Sequence, residues 1–329
     1  MNDQYPSLVW RLGGVTLWLC LGLSAALAQT APVPAEQGEP LMRQQTSLVT
    51  VNVNVMDQFH RQIAGLSREH FEIYENNVRQ EIEFFSDEDR PLSIGILFDL
   101  SGSMKPKLTR ARQALQSFIS ASHQDDDFFL VGFNQHANLL ATFSSGNTVL
   151  NKLAFAEAQG QTALVDAAYL GLEKMKEGRY DRRALLLVSD GQDNSSRYGL
   201  GELRRLLKES DVQIYCLGIS EDGTLSGNLL DLQGQSTLRE LAEITGGLAF
   251  FPRNWLELED AITRIALVLR RQYSFGYVPL NEKKDGKWRK IKVRLNAPKS
   301  LPTLYVRAKT GYYATPNSDQ TATAAKQNE

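Results

Sequence analysis

Apolar and polar positions alternate along residues 47–86. In SLVTVNVNVMD the side chains of Val51, Val53 and Val55 fall on one face and Asn52 and Asn54 on the other, the period of a half-buried strand. HFEIYENN and QEIEFFS repeat the strand character, with Glu75-Asn76-Asn77 supplying turn chemistry between them. No helical period occurs here, and about 40 residues is too short a stretch to build a core alone. From residue 91 to 270 the pattern changes. Continuous apolar runs (LSIGILF, FFLVGFN, ALLLVS, VQIYCLGI) alternate with segments of helical period, as βα units around a largely parallel sheet do. In KPKLTRARQALQSFISA, Leu108, Ala111, Leu115, Phe118 and Ile119 share one helical face, and Pro106 suits a first helical turn. Thr237 to Glu240 reads as a capping box and Gly246 as a helix stop.

Residues 271–314 return to strands, QYSFGYVPL, WRKIKVRLN and TLYVRAKTGYY. Ile291, Val293 and Leu295 alternate with Lys290, Lys292 and Arg294, which predicts an apolar inner face and a solvated basic outer face. Neither β-zone is complete alone. The fold expected is therefore α/β, a doubly wound, mostly parallel sheet (91–270) inserted into a small β-sandwich assembled from flanks 47–90 and 271–314.

Composition narrows the partners. The 36 Lys and Arg against 38 Asp and Glu leave a net charge of -2, which gives no electrostatic reason to bind nucleic acid. Arg11 precedes GGVTLWLCLGLSAALA, an apolar run that closes on Ala26-Leu27-Ala28; this reads as a secretory signal over residues 1–28, with an uncleaved amino-terminal anchor as the alternative. Cleavage after Ala28 leaves Cys216 as the single cysteine, so no internal disulfide forms and the core alone must hold an exported chain. Residues 29–46, Pro-rich and polar, read as a flexible linker, and 315–329 as a disordered tail. The expected location is periplasmic or secreted, with no stable membrane insertion once the signal is removed.

The chemistry gathers where the strand SIGILF runs into Asp99, followed by Ser101-Gly102-Ser103. In open parallel sheets ligands bind beyond the carboxyl ends of the strands. Gly102 permits a tight path that turns the flanking hydroxyls to one side. Thr162 opens a helix-like segment after Gly160-Gln161, and ALLLVS runs into Asp190-Gly191, a second carboxylate at a strand end. Asp99, Ser101, Ser103, Thr162 and Asp190 together supply only oxygen donors, which favours Mg²⁺ or Mn²⁺ over zinc. A helix start capped by serines is the competing reading of Asp99 to Ser103 taken alone.

DLSGS, Thr162 and the VSDG of residues 188–191 resemble the metal-ion-dependent adhesion site of von Willebrand factor type A domains. The resemblance implies that Ser101, Ser103 and Thr162 ligate the ion directly and that Asp99 and Asp190 act mostly through bound water. It also implies an open coordination position for a partner's carboxylate. Over residues 47–314 the flanking segments, VNVNVMDQFHRQIAGLSREHFEIYENN and YSFGYVPLNEKKDGKWRKIKVRL among them, are similar to exported bacterial VWFA-related proteins of the acidobacterial type. The function expected is an exported, non-enzymatic module that recognises an Asp or Glu of a protein partner through the metal. The alternative is a scaffold of a cell-envelope assembly, in which the metal only staples loops and the sandwich makes the contacts.

Other chemistry is poorly supported. His60, His70, His123 and His136 are dispersed without a paired metal spacing. No general base lies near Ser101 or Ser103 in sequence, and Cys216 sits in a strand-like apolar run where a buried, inert thiol is expected. Asp193 and Asn194 read as a polar surface loop rather than a second ion site, and Asp125 to Asp127 as a solvated turn.

Overall fold

The computed structural model describes residues 48–219, 229–298 and 301–314; the expected signal, linker and tail lie outside them. Four strands come first: β1 (Val49–Asp57), β2 (Phe71–Glu75), β3 (Val78–Gln80) and β4 (Phe84–Ser86). The α/β zone follows with β5 (Ser93–Asp99), α1 (Leu108–Ala121), β6 (Asp127–Phe133), β7 (Ala137–Ser144), α2 (Gly146–Ala154) and α3 (Leu164–Met175). It continues through β8 (Arg183–Ser189), α4 (Leu200–Glu209), β9 (Gln213–Gly218), α5 (Leu229–Thr245), β10 (Ala249–Phe250) and α6 (Trp255–Arg270). Last are β11 (Tyr273–Tyr277), β12 (Trp288–Leu295), β13 (Leu304–Ala308) and β14 (Gly311–Tyr313).

The central sheet runs β10-β9-β8-β5-β6-β7, parallel except for β7, which returns antiparallel beside β6. Its apolar strands are buried on both faces because helices cover both. Ile94, Ile96 and Phe98 pack with Leu115 and Phe118 of α1 and Ile262 and Ile265 of α6. Leu97, Leu185 and Leu187 pack on the other side with Ala168 and Leu172 of α3 and with Leu238 and Leu241 of α5. Successive residues of one strand thus serve two cores, which is why these runs do not alternate with polar residues.

The flanks pair across the chain, as expected. One sheet runs β13-β1-β11-β4 and the other β14-β12-β2-β3. Val51, Val53, Val55, Tyr273 and Phe275 of the first meet Phe71, Ile73 and Ile291 of the second in one core. The ring of Phe71 lies 5.0 Å from that of Tyr273 and 4.9 Å from that of Phe275, the tilted geometry that aromatic quadrupoles favour. Lys290, Lys292 and Arg294 form the exposed face of β12.

Several local expectations are corrected. Asn54, on the polar face of β1, is fully buried, because that face packs on the α/β layer: Met56 joins the core of the central sheet, and the Asn54 amide donates to the Tyr215 hydroxyl at 3.0 Å. Thr237 lies inside α5 rather than at its start, and its hydroxyl donates back to the Gln233 carbonyl at 3.1 Å. Gly246 does end the helix, with φ of 78°. Asn76 and Asn77 take positive φ at the β2–β3 turn, but Glu75 points inward and accepts from the hydroxyls of Tyr277 and Tyr312, each at 2.9 Å. Asp126 is no solvated turn residue: it is 7 % exposed and accepts from the Leu92 and His123 backbone amides at 2.9 Å each.

Candidate metal centre

β5 and β8 are parallel neighbours in register, Phe98 opposite Val188, so their last residues Asp99 and Ser189 stand side by side at the carboxyl edge of the sheet. Asp99 is fully buried. One carboxylate oxygen accepts from the Ser101 amide at 2.8 Å, and the other from the Ser189 hydroxyl at 2.6 Å. Burial pushes its pKa up to about 6; the Ser101 and Ser189 hydrogen bonds oppose the rise, and the nearby Asp190 charge adds to it.

Ser101 leaves the strand in extended conformation, and a short 3-10 turn, Gly102–Lys107, leads into α1. The turn folds the two serines together, with Oγ atoms 3.1 Å apart. The Gly102 amide donates to the Gly160 carbonyl at 2.9 Å, and a Cβ on Gly102 would stand 3.3 Å from that oxygen. The serine loop is thereby stitched to the loop that carries Thr162.

Thr162 is itself held from behind. Its amide donates to the Asn194 side chain at 2.8 Å, and its carbonyl accepts from the amides of Asn194 and Ser195 at 2.9 and 3.0 Å. Asp193 accepts from the Leu164 amide at 3.0 Å and so caps the first turn of α3. Asp166 of α3 takes the Arg197 and Tyr198 amides at 2.9 and 3.1 Å. The polar loop after β8 is thus a brace that fixes the Thr162 loop.

Asp190 follows Ser189, and Gly191, with φ of 85°, turns the chain so that its amide donates to the Ser189 hydroxyl at 3.0 Å. The Asp190 carboxylate meets the Lys107 ammonium at 3.1 Å, with both side chains about nine-tenths buried. The sequence reading missed both Ser189 and Lys107. Each left a trace: Ser189 is the polar residue closing the apolar run before Asp190, and Lys107 stands where the serine turn enters its helix.

The edge therefore joins Asp99, Ser101, Ser103, Ser189, Asp190 and Lys107, with the Thr162 loop bonded alongside. Among the described residues Asp190 has a cation and Asp99 has none in ion-pair contact. A buried carboxylate without a counter-charge, beside hydroxyl oxygens, fits a hard divalent cation. Among the described residues no three His, Cys, Asp or Glu converge as a thiolate- or imidazole-type metal site would require. Cys216 is fully buried, and burial raises its thiol pKa far above the ordinary range, which makes it a poor nucleophile.

A mostly parallel sheet covered on both faces, with a carboxylate and hydroxyl cluster at its carboxyl edge, defines a doubly wound α/β domain. The family model of the von Willebrand factor type A domain matches residues 93–264, just over half of the chain, and the chain belongs to that family. It is similar to an uncharacterized protein of Borreliella burgdorferi, 23% identical over 192 residues, which covers 51% of this chain and 56% of that protein. The chain thus spans little more than half the length of that curated relative. Among solved structures it is similar to the conserved hypothetical protein BatB of Bacteroides thetaiotaomicron, 17% identical at a TM-score of 0.45 over 54% of this chain and 98% of that one. A von Willebrand factor type A protein of Catenulispora acidiphila is 16% identical at a TM-score of 0.47, over 83% of this chain and 64% of that one. Domains of this family serve in general as protein-interaction modules rather than as enzymes. Among the described residues no helix is long and apolar enough to cross a membrane.

Proposed function

We propose that the protein is an exported binding module whose sheet edge holds Mg²⁺ or Mn²⁺. Ser101, Ser103 and Thr162 bind the ion directly, and Asp99 and Asp190 act through bound water. The ion held there would supply a positive centre able to attract an Asp or Glu side chain of a protein partner. The chain's own residues do the rest. Asp99 orients the Ser101 amide, Ser189 fixes the Asp99 carboxylate, and the brace from Asp193 and Asn194 holds Thr162 in place.

The observation that carries this reading is the buried Asp99 carboxylate, which has hydrogen-bond donors but, among the described residues, no counter-ion, beside the paired Ser101 and Ser103 hydroxyls. Calorimetric titration of Mg²⁺ and Mn²⁺ into the metal-stripped protein tests it. Saturable binding is expected, lost when Ser101 and Ser103 are both changed to Ala. A glutamate-bearing peptide should then be retained by the Mn²⁺-loaded protein more strongly than its glutamine counterpart. Binding by the double variant equal to that of the wild type would refute the site.

A further inference from the structure

Lys107 brings a positive charge to an edge proposed to bind a cation. It is 9 % exposed, and among the described residues no other lysine is buried. Lysine is rarely sheltered in this way, because its ammonium loses hydration there. The position is unfavourable a second time. Lys107 is the residue that leads into α1, where the positive end of the helix dipole disfavours a cation.

Among the described residues its ammonium has one partner, the Asp190 carboxylate at 3.1 Å. The two side chains are 10 % and 8 % exposed, so little water screens the pair. The Asp190 charge in turn reaches Asp99, whose pKa it helps to raise. Three charges thus act within one sheltered cluster.

With both carboxylates ionised, Asp99, Asp190 and Lys107 leave the edge with a single negative charge. Adding a divalent ion turns this into a single positive charge, and one carboxylate then restores neutrality. Were position 107 neutral, the ion alone would balance Asp99 and Asp190, and a further carboxylate would be in excess. In a site sheltered from water, such differences of one charge decide which species are held.

We infer that Lys107 is an internal counter-charge that weakens the edge's hold on a divalent ion and strengthens its hold on an acidic ligand, so that ion and carboxylate are taken up together. This rests on the metal binding proposed above. The coupling is reciprocal: the carboxylate raises affinity for the ion by the same factor by which the ion raises affinity for the carboxylate. Lys107 is a positioning residue here, acting through its bond to Asp190 and through the charge it adds to the edge.

Two variants separate the charge from the contact: Lys107→Gln removes the charge and keeps a donor for Asp190, and Lys107→Arg keeps both. Near-ultraviolet circular dichroism first establishes native packing in each. Mn²⁺ is then titrated calorimetrically into the metal-stripped proteins, and a blocked tripeptide with a central glutamate into the Mn²⁺-saturated ones. Lys107→Gln should bind Mn²⁺ at least about tenfold more tightly than the wild type and the peptide at least about threefold more weakly. Damage to the loop would weaken both, so the opposite signs tell charge from structure. Lys107→Arg should stay within about threefold of the wild type on both counts. In the wild type itself, Mn²⁺ should bind at least about tenfold more tightly with the glutamate peptide at saturation than with its glutamine counterpart. Unchanged or weaker Mn²⁺ binding by folded Lys107→Gln, or equal wild-type Mn²⁺ affinity with the two peptides, would overturn the inference and leave the ion site standing. No saturable Mn²⁺ binding by the wild type would refute the ion site and the inference with it.

Discussion

Lys107 and Asp190 face each other almost out of water, and an ion pair so placed is more sensitive to loss of one partner than its own net contribution suggests. Lys107→Met should destabilise the metal-free protein by about 3 kcal/mol, because Asp190 is left buried and uncompensated. Part of that loss should return on saturation with Mg²⁺, since a second cation then neutralises the edge. Urea denaturation with and without the ion checks both. Asp126 gives a pH prediction. Burial pushes its pKa up from 3.8 to about 6, against the lowering effect of two backbone amides. The folded state therefore holds the proton more tightly than the unfolded chain, and this group's contribution to stability falls as pH rises through that window. In Asp126→Asn that slope disappears, so the variant's stability deficit should narrow between about pH 4 and 6 and level off above. A deficit that widened over the same range would contradict the assignment. Neither residue was legible beforehand. A carboxylate in an acidic run and a lysine in a basic turn look solvated until tertiary packing places them, whereas Asp99 and Asp190 stood out because each ends an apolar strand.

Gly246 shows how one element's end is set by another. It closes α5 with φ of 78°, and a Cβ there would sit 2.5 Å from the Ala308 carbonyl carbon of β13. Gly246→Ala should cost at least about 1–3 kcal/mol, since strained backbone and a close backbone approach coincide. Thermal unfolding of the variant measures it, and a loss of only a few tenths would mean that β13 can yield. Strand existence and pairing followed well from period and apolar content: β5, β6, β8 and β9 read as buried runs, and the two flanks each lacked a partner sheet. The false capping box at Thr237 has a physical reason. Its hydroxyl satisfies a carbonyl inside the helix as readily as it would an amide at a helix start, and local sequence does not separate the two uses. Likewise Asn54 obeys the strand alternation but not the rule that the polar face is wet, because the second layer covering β1 comes from far along the chain.

The sandwich and the α/β layer are joined by a buried polar chain. Asn54 and Gln272 both donate to the Tyr215 hydroxyl, at 3.0 and 2.7 Å, and Gln272 continues to Gln213 at 2.6 Å. Removing the shared acceptor in Tyr215→Phe strands two donors, and a loss of about 1–3 kcal/mol is expected. If this chain couples the layers, scanning calorimetry of the wild type should show one transition and the variant a broadened or split one; an unchanged single transition at the wild-type midpoint would show that apolar packing alone couples them. The carboxyl edge is the centre of the account. Diffraction from crystals soaked in Mn²⁺, recorded at the manganese absorption edge, tests it most directly. The account predicts an anomalous peak within direct bonding reach of the Ser101, Ser103 and Thr162 hydroxyls, and none there in the Ser101 and Ser103 double-alanine variant. A peak bound elsewhere, or an edge that stays empty in crystals whose serine loop is open to solvent, would contradict it.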